Sequence, residues 1–95
     1  MVLYLEEIIK NIKDNKLDYA LELCKNYEND ENKHIVFNLR GVIFFSKNDL
    51  NKAEINFLNS FKINNKFVDA IKNLILVFNT NKNFEKFLFF AEKLV

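Results

Sequence analysis

The chain has no proline, no tryptophan, one glycine and one cysteine among its 95 residues. Without proline, and with Gly41 alone, the tight turns that join strands lack their usual residues. That argues against a hairpin-rich sheet and for helices joined by short polar connections. A single glycine also excludes a Gly-rich phosphate loop. A single cysteine, Cys24, excludes an intramolecular disulfide, and nothing points to an oxidising compartment. With one His and one Cys, a zinc site would need other ligands, and no Glu-x-x-His metal motif occurs. Acids and bases nearly cancel at a formal charge of +1, so no strong field points to nucleic acid or an anionic membrane. No apolar run approaches the roughly 20 residues needed to span a bilayer. The start, MVLYLEEIIKNIKD, lacks the basic head and small-residue cleavage site of a signal peptide. The expectation is one soluble, cytoplasmic domain over 1–95.

What is present is apolar and rich in phenylalanine, with 11 Phe residues beside three Tyr. Leu5, Ile8, Ile9 and Ile12 recur at helical spacing within 2–13. Leu17, Ala20, Leu21, Cys24 and Tyr27 mark a second helix, with Asp18 in the first turn where a negative charge suits the dipole. Further helices are expected over 35–45, 50–63, 67–78 and 84–95. Polar stretches at 14–16, 28–33, 46–49, 64–66 and 80–83 separate them, and 46–49 offers capping side chains. The fold class is therefore all-α, with six helices in three antiparallel hairpins. Leu17, Leu50 and Phe84 correspond, as do Ala20, Ala53 and Phe87, in steps of 33 and 34 residues. In the first hairpin the apolar pattern fits best with a turn one residue shorter, which matches Ile9 to Gly41.

The spacing Phe37, Gly41, Phe44, Ala53, Phe57 resembles one tetratricopeptide repeat, a helical hairpin of about 34 residues. Small residues at Gly41 and Ala53 let neighbouring helices approach, and the aromatics fill the space left. The outer repeats depart from the pattern, with Ile9 and Ile75 for the glycine, Cys24 for the second-helix aromatic and Phe87 for the small residue. The resemblance implies a right-handed array with approximate repeats 1–33, 34–67 and 68–95. It also implies a concave groove, lined by the first helix of each hairpin, for a partner peptide or helix. Carried over, the groove positions are Glu6, Lys10 and Lys13, then Ile35, Asn38, Val42 and Phe45, then Lys72, Leu76 and Asn79. The alternative for Val42, Phe45 and Leu76 is internal packing.

No catalytic constellation emerges, so the expectation is a protein-binding module and not an enzyme, with no cofactor. Cys24 and His34 in a nucleophile–base pair are opposed by the place of Cys24 on an apolar stripe, where a thiol acts as a small hydrophobe. His34, at a helix start, is expected to be solvated or capping. A nucleic-acid face built on Lys10, Lys13 and Lys72 is diluted by Glu6 and Asp69, and those lysines read as a solvated face. In the last helix, Phe84, Phe87, Leu88, Ala91, Leu94 and Val95 form one stripe, flanked by Phe90, with Phe89 on the opposite side. An array normally ends on a polar outer face. This one carries an apolar C-terminal surface, for which Phe87, Phe89, Phe90 and Leu94 are the expected interface, with a homodimer as one occupant. The alternative is that the chain forms the N-terminal arm of a larger enzyme, such as a repeat-bearing glycosyltransferase. A third reading is a self-assembling structural protein.

Overall fold

The computed structural model describes residues 3–95; Val2, expected in the first helix, lies outside the described residues. Six helices follow in order: α1 (Leu3–Lys13), α2 (Leu17–Lys25), α3 (Lys33–Ser46), α4 (Leu50–Ile63), α5 (Val68–Thr80) and α6 (Phe84–Ala91). A short 3-10 turn at Glu92–Leu94 closes the last. No strand occurs among the described residues. Each helix packs on the next, and the first helices of successive hairpins also adjoin, α1 with α3 and α3 with α5.

The three turns inside the hairpins share one backbone device. Asn15, Asn48 and Lys82 take left-handed φ values of 59°, 62° and 61°. Each donates its N–H three residues back, to the carbonyls of Ile12, Phe45 and Asn79. The next residue, Lys16, Asp49 or Asn83, donates five residues back, to Asn11, Phe44 and Phe78, at 2.8, 2.9 and 2.9 Å. These are Schellman closures, and they satisfy carbonyls that the helix end leaves open. They recur at steps of 33 and 34 residues, so the periodicity of the apolar residues has a counterpart in the chain's path. Two of the following helices are then started by side chains: Asp49 accepts from the Lys52 N–H at 3.1 Å, and Asn83 from that of Lys86 at 3.3 Å.

The turn geometry corrects the register of the first hairpin. Its turn is not one residue shorter, because Asn15 and Asn48 stand 33 apart in the same conformation. Ile8, wholly buried, therefore occupies the place of Gly41, and half-buried Ile9 does not. Lys82 carries a strain that the two asparagines escape more easily, since a Cβ in the left-handed region costs about 1–2 kcal/mol. Lys82→Gly is expected to raise stability by about 0.5–1 kcal/mol, read as a higher denaturation midpoint. Lys82→Ala, which keeps the Cβ, is expected to give no such gain.

Two apolar clusters meet at α3. Leu5, Ile8, Ala20, Cys24, Val36 and Ile43 are buried in one. Ala53, Phe57, Ile71, Leu74, Val77, Phe78 and Phe90 are buried in the other, with Val42, Phe44 and Phe45 packed against it. At the closest point the ring of Phe57 lies on the bare Cα of Gly41. A Cβ there would stand 2.4 Å from Cδ1 and Cε1 and 2.9 Å from Cζ. By the turn register, the equivalent pairs are Ile8 with Cys24 and Ile75 with Ala91. Bulk sits on the second helix in the middle hairpin and on the first helix in the other two.

Two buried polar groups are satisfied between helices, one within the middle hairpin and one across hairpins. Ser60 Oγ donates to the His34 carbonyl at 2.6 Å, tying α4 to the start of α3. Asn73 Nδ2 donates to Asn38 Oδ1 at 2.9 Å, joining α5 to α3. Asn38 is only 5% exposed, so it is an internal tie and not the open groove amide expected from its position. A buried amide of this kind costs stability unless it is paired, and Asn73 supplies the pair. His34 is half-buried, and its ring meets Phe67 edge-on at 5.0 Å.

Candidate functional site

Helix α6 is apolar on nearly every side, so its own sequence leaves open which side turns inward. The helices already in place decide it. Phe90 stacks on Phe78 of α5 at 5.7 Å and meets Phe61 of α4 edge-on at 5.2 Å, which leaves it 5% exposed. Phe87 packs half-buried beside it. The inward stripe is thus centred on Phe87 and Phe90. Phe90 leaves the expected exposed interface for the core. Phe84, Leu88, Phe89 and Leu94 stay 60%, 57%, 55% and 42% exposed.

Beside this ridge runs a groove of about 550 Å³. It is lined by Leu58 of α4, Phe78 of α5 and Leu88, Phe89 and Phe90 of α6, together with the charged Glu85, Lys86 and Glu92. The charges there are unequally committed. Lys86 reaches Glu54 at 4.0 Å and lies over the Phe78 ring at 5.5 Å. Lys93 folds over the Phe89 ring at 4.3 Å and the Phe61 ring at 5.6 Å. Glu85 and Glu92 are exposed and make no ion pair among the described residues. An apolar ridge framed by two uncommitted carboxylates can hold apolar side chains and choose among them by charge.

The positions that the resemblance assigns to a groove are distributed differently. Lys10 on α1, and Lys72, Leu76 and Asn79 on α5, are exposed. Val42 and Phe45 are half-buried against the second cluster, which agrees with the internal-packing alternative for those two. A shallow depression of about 340 Å³ is lined by Glu6, Ile9, Lys10 and Lys13, all from α1. Asn38, bonded to Asn73, is buried and offers no open amide at this face.

Elsewhere the reactive side chains are structural. Cys24 is wholly buried, and burial pushes its thiol up to about 11, so it stays protonated and unreactive near neutral pH. No group of three or more His, Cys, Asp or Glu side chains that could hold a metal lies among the described residues. Among those residues no helix is long and apolar enough to cross a membrane. Arg40 pairs with Glu28 and lies over the Phe37 ring, and Lys47 pairs with Asp18 across the first two hairpins.

One polar cluster secures the connection between α2 and α3. Tyr4 stacks on Tyr27 with ring centroids 3.8 Å apart and donates its hydroxyl to Asp30 Oδ1, which also accepts the Asn32 N–H at 2.9 Å. Burial, then the bond to Asp30, raises the Tyr4 pKa; the Tyr4 hydroxyl, then the Asn32 N–H, lowers that of Asp30. A carboxylate lowered on folding stabilises above its unfolded value and loses that contribution as pH falls through its folded value. A phenol raised on folding stabilises below its unfolded value and loses that contribution as pH rises towards its folded value. The clamp should therefore contribute fully between about pH 4 and 10 and weaken beyond both ends. Tyr4→Phe is expected to remove the alkaline edge and soften the acid one, measured as thermal midpoints across pH.

Sequence reasoning missed Leu58, Glu85 and Glu92 as residues lining the groove. The seven-residue spacing of the two acids, with Leu88 and Phe89 between them, was the available signal. Comparison of the chain with family models, curated proteins and solved structures finds no match.

Proposed function

We propose that this chain is a right-handed, tetratricopeptide-like array of three helical hairpins that serves as a protein–protein interaction module. The recurrence of the left-handed turn at 33 and 34 residues, the adjacency of α1, α3 and α5, and the Gly41–Phe57 contact support the array. The observation that carries the binding role is the α6 groove. Leu88 and Phe89 remain more than half exposed beside a cleft large enough for several side chains, where a folded chain normally covers such residues. The surface that accepts a partner is then the flank of α6 against α4, with the exposed α5 residues Lys72, Leu76 and Asn79 as the competing face.

The test is comparative. Partners are captured on the unmodified chain and identified by mass spectrometry. The same lysate is then passed over Leu88→Asp/Phe89→Lys and over Lys72→Glu/Leu76→Glu. Loss of the partner on the first variant, with retention on the second and unchanged helical circular dichroism in both, supports the α6 groove. The reverse pattern would place the site on the concave face.

A further inference from the structure

We infer that the groove along α6 receives an amphipathic helix of a partner protein whose apolar stripe is flanked by Lys or Arg. This rests on the interaction-module reading above and adds the chemistry of the occupant. The charges on the page favour it. Lys86 is directed to Glu54 and the Phe78 ring, and Lys93 to the Phe89 and Phe61 rings. Both cations at this surface thus have partners within the chain, although both remain exposed. Glu85 and Glu92 are left as the surface's uncommitted charges among the described residues, one in the first turn of α6 and the other at its C-cap, with Leu88 and Phe89 between them. A helix laid along this ridge meets apolar groups at its centre and a carboxylate near each end. Basic residues two turns apart would complete both contacts at once.

The same carboxylates disfavour the second copy of this chain that the sequence suggests. An antiparallel pair of α6 helices centred between Leu88 and Phe89 sets Glu85 of one copy opposite Glu92 of the other, twice over. A parallel pair sets each glutamate opposite its own copy. Both of these registers bury apolar surface while bringing like charges together.

The experiment selects binders from a display library of helical peptides of about five turns, on three baits: the unmodified chain, Glu85→Lys/Glu92→Lys, and Leu88→Asp. Sequences from the unmodified chain should carry an apolar stripe flanked by Lys or Arg, and those from the charge-reversed bait should carry Asp or Glu instead. By fluorescence anisotropy, a basic binder should lose about tenfold in affinity on the reversed variant, as two exposed attractions become repulsions. Raised salt should narrow that difference. Leu88→Asp should lose both classes of binder. Binders that need Leu88 but show no preference of charge overturn this inference and leave the groove as the site. Binders indifferent to Leu88→Asp overturn the groove itself. A dimer in sedimentation that Leu88→Asp converts to monomer makes the occupant a second copy and likewise overturns the inference.

Discussion

Phe57→Ala should lower the stability of this domain by about 3–5 kcal/mol, the range for deleting a fully buried aromatic. Phe57 is 1% exposed and belongs to the cluster that joins α4 to α5 and α6. Its ring also covers Gly41, so truncation strips a close contact between α3 and α4. Gly41, facing the ring, has no side chain with which to refill the space. In a small domain such a loss is a large share of the whole stability. The check is chemical denaturation followed by circular dichroism, with a midpoint well below that of the unmodified chain. An unchanged midpoint would mean that Phe57 is not internal.

Gly41→Leu tests the same contact from the other side. An alanine here would gain about 1 kcal/mol of helix propensity over glycine. The gain is opposed by position, since even the Cβ would lie 2.4 Å from the Phe57 ring. Leucine adds three further carbons in the same direction, and overpacking of this kind costs about 1–3 kcal/mol or more. The decisive measurement is a double-mutant cycle. In the Phe57→Ala background the leucine has a cavity to enter, so its cost should shrink or reverse. Equal costs in both backgrounds would show that Gly41 and Phe57 do not share the space.

The helices and their starts were legible because the interactions that define them are local. Apolar spacing placed α2, α4 and α6 to begin at Leu17, Leu50 and Phe84, and they do. Asp49 caps the helix it precedes through a bond spanning three residues. Such signals need no knowledge of where other helices lie. The register of α1 needed more. Ile8 and Ile9 are chemically alike, and only the left-handed turn at Asn15, matched to that at Asn48, decides which of them takes the place of Gly41.

The candidate site was legible as a helix but not as a face. Residue types around α6 announce too much apolar surface for one side, and the sequence alone determined that something on this helix would stay exposed. It could not say what. Phe61 and Phe78, from two other helices, capture Phe90 and turn Leu88 and Phe89 outward. The burial of Asn38 likewise depends on Asn73, 35 residues away. Composition, periodicity and turn chemistry were enough to determine an all-helical chain of six elements, because each acts within a turn or two of backbone. Which side chains became core, tie or open surface was decided by the tertiary structure, because burial depends on partners that only the packed helices bring together.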